Sequence, residues 1–399
     1  MLYQLSYSRN VPSRVGKCNA EKITLQDSNI TILFAVNFLT KTRVDHNTSE
    51  TMVNRFSLKC FNTSFIALLL LLTVAPLSYA QQNAKYAGEF LSLGVGARSS
   101  AMGGSGVALS NDVTAGYFNP ANLYRISYPQ IAIFHESRFS GLFNYDYLAG
   151  ALPIDEKQSA ALSIIRFGYG EIKDTRNALI DRNGNGVIDE DDRVDPNRIT
   201  IGSAADWAFI GSYSKAINVK FSVGANVKLL HRAILDTSAW GFGIDIGASY
   251  QPIEDLSLGA TLFDATKSLL AWETGHQEFI VPSLRLGVAY DLAIAEDHMI
   301  RPTIDGIYRF EGRNETTTLD AGIFSLDVAA GLEYSYKEKV FARGGISELQ
   351  QLSLGAGVKL PKLNIDYSFT QENSDLENIG ATHRVSLMLT LEEEKFIRK

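Results

Sequence analysis

The sequence predicts an all-β chain that closes into a transmembrane antiparallel β-barrel of about fourteen strands, with an N-terminal segment folded into the lumen. Three observations predict it. Apolar and polar residues alternate with period two over many segments of 9 to 12 residues, long enough to cross a bilayer at the usual barrel tilt. The segments number about fourteen, an even count that puts both ends of the barrel on one side. Their connections sort by parity, short after even segments and often long after odd ones.

The stretch Val219 to Leu229 shows the alternation: Val219, Phe221, Val223, Ala225, Val227 and Leu229 interleave with Lys220, Ser222, Gly224, Asn226 and Lys228. Side chains of a strand point alternately to opposite faces, so one face is apolar and the other wet. The same beat is heard from Leu326 to Tyr336 and from Leu363 to Phe369. Strands are expected at 131–138, 143–152, 158–167, 206–216, 218–230, 239–250, 254–264, 279–290, 299–310, 325–337, 339–346, 350–359, 362–371 and 382–392. Phe134, Trp207, Tyr213, Tyr250, Tyr290, Tyr308, Tyr336 and Phe369 stand near their ends, as in the aromatic girdles of membrane barrels. Connections such as 155–157, 252–254 and 337–339 are tight, whereas 168–204, 265–276, 311–323 and 372–381 are long. A soluble sandwich also alternates but has no reason to obey that parity, and closure answers the edge-strand problem.

Upstream lies an export signal. Met52 is followed by Arg55 and Lys59, an apolar run from Phe65 to Pro76, and Ser78-Tyr79-Ala80, the pattern of a signal peptide over 52–80 cleaved before Gln81. Residues 1–51 are read as an over-extended start without a fold. Cys18 and Cys60 both precede that cleavage site, so no thiolate site or disulfide is expected in the exported chain. Without the leader, 29 basic and 40 acidic residues remain, a net charge of −11. An acidic chain with no basic cluster is a poor nucleic-acid partner.

The stretch Ala87 to Leu123 carries seven glycines and many Ser, Ala and Asn residues. It has too few large side chains to offset the entropy of its own ordering. It must borrow walls from the rest of the chain, and small residues allow the close backbone approach that this needs. Its spacing runs G-x-G-A-R from Gly94 and Gly96 to Arg98, then A-M-G-G ending at Gly103 and Gly104. Next comes N-D-V-T-A-x-x-x-N-P-A-x-L through Asn119, Pro120 and Ala121. This resembles the N-terminal motif of the PorV/PorQ family, outer-membrane barrels related to the FadL-type fatty-acid channels. The resemblance implies a hatch over 81–127 within a barrel over 128–392, followed by a periplasmic tail over 393–399. It further implies long loops outside the cell, both termini in the periplasm, and outer-membrane lipid around the wall. Two roles follow from it. One is a non-enzymatic shuttle of type IX secretion, receiving cargo by its signal domain and passing it between a translocon barrel and a surface attachment enzyme. The other is a hatch-gated channel for hydrophobic small molecules.

The long connection 169–204 contains DRNGNGVIDEDD, in which Asp181, Asn183, Asn185, Val187, Asp189 and Asp192 fall at positions 1, 3, 5, 7, 9 and 12 of a calcium loop, with Gly186 sixth. A hard cation needs six or more oxygens, and this spacing lets one tight turn supply them. Asp192 replaces the usual Glu at the last position, and the flanks do not read as paired helices. An isolated structural calcium site, ordering an external loop, is the expectation. No catalytic motif accompanies it: the histidines 135, 231, 276, 298 and 383 lack ligand spacing and are expected at the rim or in the lumen. Lys220, Lys228, Asp245, Arg285, Asp327, Glu333, Lys359 and Asp366 lie on the wet face with both signs mixed. They are expected to pair across the lumen, joined by Arg98, rather than to form the single-sign ring of an ion-selective pore.

Overall fold

Alternation along the chain becomes a wall with two faces: Val227 is 52% exposed on its outside, while the next residue, Lys228, is 2% exposed on its inside. The structure, a computed structural model, describes residues 88–399 except 139–140, 183, 185–191, 312–316, 323, 372–380, 394–396 and 399. The segments read as start region and signal peptide, with residues 81–87, lie outside the described residues.

Among the described residues the wall is built from fourteen strands. They are β1 (Gln130–Arg138), β2 (Phe143–Pro153), β3 (Gln158–Asp174), β4 (Thr200–Ala216), β5 (Phe221–Ile234), β6 (Thr237–Ile253) and β7 (Leu256–Phe263). The second half comprises β8 (Ser283–Tyr290), β9 (His298–Arg309), β10 (Ser325–Tyr336), β11 (Val340–Ile346), β12 (Leu352–Leu360), β13 (Leu363–Thr370) and β14 (Thr382–Thr390). Each pairs antiparallel with its neighbours in sequence. The ring closes where β14 meets β1, with Gln130 opposite Thr390 and Ser137 opposite His383. Closure of the ring leaves it without an edge strand among the described residues.

The wall is not of even height. Strands β3, β4 and β6 run 17 residues each, whereas β11 runs 7 and β13 runs 8. The expected loop 169–204 is correspondingly shorter, because β3 continues to Asp174 and β4 begins at Thr200. The connection between β7 and β8 folds back as a hairpin, Ser268–Trp272 with Gln277–Ile280, whose first arm pairs with β6 from Ala239 to Phe242.

Two expectations are corrected, for Phe134 and for the two lysines, and the histidines are placed. Phe134 faces inward, 4% exposed, edge-on to Tyr145 with ring centres 6.2 Å apart, and so is no girdle residue. Lys220 and Lys359 are exposed rather than lumenal, and the Lys220 ammonium donates to the Pro252 carbonyl at 2.7 Å in the short-turn end. His135, His231, His298 and His383 sit on outward positions, where His231 stacks on Trp240 and His383 bonds the Tyr367 hydroxyl at 2.7 Å.

Candidate functional site

The inward face of the wall carries a glycine at seven of the places where the N-terminal segment touches it. A Cβ on Gly224 would stand 2.5 Å from the Ala121 nitrogen, and one on Gly331 would stand 2.6 Å from the Met102 carbonyl oxygen. Gly247 meets Asn119, Gly259 and Gly287 meet Val107, Gly345 meets Met102 and Gly103, and Gly355 meets Ala101. Strands β5, β7, β8, β10 and β11 thus present backbone to backbone. The small residues of the segment are matched by absent side chains on the wall, which is how a chain with so little bulk becomes largely buried. Val95, Ala97, Ala101, Met102, Val107, Val113, Ala115, Asn119, Ala121 and Leu123 are all 0% exposed.

The motif residues act through specific bonds. Gly94, Gly96, Gly103 and Gly104 take positive φ values of 81°, 82°, 72° and 87°, backbone states that strain any residue with a side chain. The Asn119 amide donates to the carbonyls of Val107 at 3.1 Å and Ala248 at 2.9 Å, while its oxygen accepts from the Ala121 N–H at 3.1 Å. Pro120 opens the short 3-10 turn that follows, where its missing N–H costs nothing. On the far side, one Asp305 carboxylate oxygen accepts the N–H groups of Gly106 at 2.8 Å and Val107 at 3.0 Å. The Ser386 hydroxyl on β14 accepts from the Ala97 N–H at 2.6 Å. The segment is therefore tied to opposite sides of the ring.

Arg98 supplies the strongest tie. Its guanidinium grips both oxygens of Glu333 on β10, at 2.9 and 2.8 Å. Arg343 reaches the same carboxylate at 2.6 Å and Asp366 at 2.6 Å, while Arg301 joins Glu333 at 3.3 Å and Asp291 at 2.7 Å. Three guanidiniums and three carboxylates make one neutral cluster, with Glu333 at its centre and only 2% exposed. Elsewhere in the lumen Lys228 sits between Asp245 at 2.7 Å and Asp264 at 2.6 Å, and Arg309 between Asp327 at 2.6 Å and Glu348 at 2.7 Å. The mixed-sign reading of Lys228, Asp245, Asp327, Glu333, Asp366 and Arg98 holds. Arg285 stands apart from these pairs, its guanidinium 5.4 Å from the ring centre of Phe263.

Two of the spaces left inside are small, the first of mixed lining and the second mainly polar. A cavity of about 90 Å³ lies between Ser92, Tyr117, Lys228, Asp245, Phe263 and Arg285. A second, of about 250 Å³, lies near the short-turn end beside Asn111, Arg125, Asp291 and Arg301. Neither makes a continuous apolar passage among the described residues.

At the long-loop end, Asp181 and Asp192 lie within the described residues, whereas Asn183, Asn185, Val187 and Asp189 lie outside them. The Asp181 carboxylate accepts from the Gly184 N–H at 2.6 Å and that of Asp192 from the Arg182 N–H at 3.2 Å. Two residue pairs, Leu179 with Val194 and Ile180 with Arg193, close the base of the twelve-residue loop in an antiparallel ladder. Below it Arg176 clasps Asp174 at 2.9 and 2.7 Å and Asp236 at 3.0 Å, joining the loop to the β5–β6 turn. Hydrogen bonds from Arg176 hold the Asp174 carboxyl down at about 2.

At the opposite end the C-terminal tail is not merely solvated. Arg398 donates to the Ile126 carbonyl at 2.8 and 3.0 Å and to the Asp155 carbonyl at 2.8 Å, fastening the tail to the entry of β1 and to the β2–β3 turn. Partial burial lowers the pKa of that guanidinium, while the Lys157 and Gln158 N–H groups hold the Asp155 carboxyl below its ordinary value.

Comparison with known proteins decides the family. Residues 78–307 match the family described as Type IX secretion system protein PorV. The chain belongs to the PorV family. No curated protein matches. Among solved structures the chain is similar to the Pseudomonas putida toluene transporter TodX at 13% identity, covering 75% of this chain and 99% of that one with a TM-score of 0.49. It is also similar to the Ralstonia pickettii toluene transporter TbuX at 13% identity, covering 74% and 98% with a TM-score of 0.47. A Pseudomonas aeruginosa FadL homologue is likewise similar at 13% identity, covering 74% and 98% with a TM-score of 0.46.

Proposed function

We propose that this PorV-family barrel is a non-enzymatic outer-membrane component of type IX secretion that works through its outer surfaces rather than as a passage. Membership of the family supports the assignment to that system. The single structural observation behind the second half of the reading is the lumen. The N-terminal segment is a plug tied to the wall by the Arg98–Glu333 pair at 2.8 Å and by Asp305, and its surroundings are paired charges. A lumen of that kind suits a sealed body better than an apolar conduit, so the channel for hydrophobic small molecules is the weaker alternative.

In this reading the long loops face the outside of the cell and both termini the periplasm. The loop from Asp181 to Asp192 takes up calcium through Asp181, Asn183, Asn185, the Val187 carbonyl, Asp189 and Asp192. Oxygen ligands in that order suit a hard divalent cation, and the clasp at Arg176 gives the ordered loop a firm base. The external loops then form the surface that receives the signal domain of secreted cargo, for transfer between translocon barrel and attachment enzyme. Pull-down from native membranes tests it: a protein bearing a type IX signal domain is expected to co-purify, and less of it when Asp181 and Asp189 are both changed to Ala. Failure to recover any such protein, together with uptake of labelled fatty acid by vesicles carrying the barrel, would replace this reading with the channel.

A further inference from the structure

One row of outward side chains breaks the apolar surface of the wall. Strand register sets His135 opposite Asp146, Asp146 opposite Arg166, Arg166 opposite Trp207, Trp207 opposite His231 and His231 opposite Trp240. The row therefore runs unbroken across β1 to β6. Ile133, Leu148, Val227, Leu229 and Phe242 lie just beneath it, each at least 44% exposed. Arg, His and Trp are the side chains that settle where hydrocarbon gives way to headgroups.

The row does not keep one height. Measured from the short-turn ends, His135 stands five residues above Gln130 and Asp146 seven above Pro153, whereas His231 stands ten above Phe221 and Trp240 thirteen above Ile253. At about 3.4 Å per residue and a tilt of about 40°, the apolar height climbs from about 13 Å at β1 to about 26 Å at β5. The taller value matches the hydrophobic band of about 25 Å expected of such barrels, and the lower ones fall well short of it.

The charges make the shortfall matter. Asp146 is engaged from both sides, by His135 at 2.7 Å and by Arg166 at 3.5 Å. Arg166 itself is 41% exposed in its side chain, and that long bond to Asp146 uses one of its five donors. Its guanidinium is 5.6 Å from the ring centre of Trp207 and lies over Gly168, toward the long-loop end, in the space a Cβ there would fill. Left in hydrocarbon, those outer donors would have no acceptor.

We propose that the headgroups of the facing leaflet descend to this row on the β1–β3 side, where a lipid phosphate seats on Arg166, so that the bilayer is thinner there than beside β5 and β6. The inference rests on the membrane-spanning reading of the barrel and not on the secretion role. Asp146 neutralises part of the local field but is already bonded, which leaves the outward edge of Arg166 as the phosphate contact. His135 and Trp207 flank it on either side.

The test uses the full chain, with Cys18 and Cys60 changed to Ser, in vesicles of phosphatidylethanolamine and phosphatidylglycerol. A nitroxide is attached at Leu148→Cys on β2 or at Ile246→Cys on β6, and its depth is read from collision with oxygen and with a water-soluble nickel chelate. The expected result is a label at Leu148 several-fold more accessible to nickel relative to oxygen than one at Ile246. Arg166→Gln should move the Leu148 label deeper and leave the Ile246 label unchanged, while Arg166→Lys should largely preserve the difference. Equal depth at the two positions, or no response to Arg166→Gln, overturns the proposal. So does a Leu148 label shielded from both reagents, which would mean that another protein wall covers this face. A water-exposed label at Ile246 would instead refute the membrane-spanning reading itself.

Discussion

Changing Glu333 to Gln removes the charge at the centre of the lumenal cluster and keeps the shape. In the wild type Arg98, Arg301 and Arg343 are balanced by Glu333, Asp366 and Asp291. After the change one positive charge is left over in a site where Glu333 and Arg343 are each 2% exposed in their side chains and Arg98 is 19% exposed. Breaking one partner out of a buried pair costs about 3–5 kcal/mol. The loss falls on the docking of the N-terminal segment, because Arg98 belongs to the segment whereas Arg301 and Arg343 keep carboxylates on the wall. Amide hydrogen exchange reads it: protection over residues 94–111 should fall about a hundredfold or more, since 1.4 kcal/mol is a factor of ten. Exchange in β2 to β6 should be unchanged. Adding Arg98→Gln to Glu333→Gln restores neutrality, and the double variant should lose less than the two single losses combined. Unaltered protection in Glu333→Gln would refute the view that this pair fastens the segment.

Other outcomes follow from the same structure. Gly345→Val puts methyl groups where Met102 and Gly103 now lie; overpacking of that kind costs about 1–3 kcal/mol or more, so a lower unfolding temperature is expected, whereas Gly211→Val, with nothing within 4 Å, should be neutral. The clasp of Asp174 on Arg176 has a depressed carboxyl at about 2. Its contribution is therefore complete above the unfolded value of about 3.9 and is lost as pH falls toward 2. Exchange protection of the 175–199 loop base should hold at pH 5 and decline below pH 4, and an unchanged loop at pH 2 would contradict this. Calcium removal by chelator should speed proteolysis within 181–192, and Asp181→Ala should make that rate insensitive to calcium. Arg398→Ala removes the bonds to Ile126 and Asp155 and should raise exchange in the β2–β3 turn without affecting β4.

Alternation made the wall strands legible, because burial on one face and lipid on the other impose a period of two, although the expected strand 279–290 starts in the hairpin arm and the wall strand only at Ser283. The upper ends of β3 and β4 were not legible: beyond Gly168 β3 carries Glu171, Lys173 and Asp174, and before Asp206 β4 carries Thr200, Gly202, Ser203, Ala204 and Ala205, too small to mark a face, so the pattern fades while the ladder continues. Inside and outside were misread where one residue decides the phase, as with Phe134, whose ring meets that of lumenal Tyr145. The motif of the N-terminal segment was visible, but its counterpart was not. Gly224, Gly247, Gly331 and Gly345 occupy inward positions on separate strands, and only the register brings them against one segment. Glycines at inward phase on several strands are the signal that would have located the contact. Arg98 was named with Glu333 and Asp366 as a group of mixed charges; its bond to Glu333 spans 235 residues of separation that sequence spacing cannot bridge.

Electrical conductance across a planar bilayer tests the central claim, a membrane barrel whose lumen is sealed by its own N-terminal segment. The wild-type chain should show no steady current at moderate voltage, and Glu333→Gln combined with Gly345→Val, which loosen the segment at two points, should open a persistent one. A steady ohmic pore in the wild type, or silence in that double variant despite a demonstrably released segment, would contradict the account.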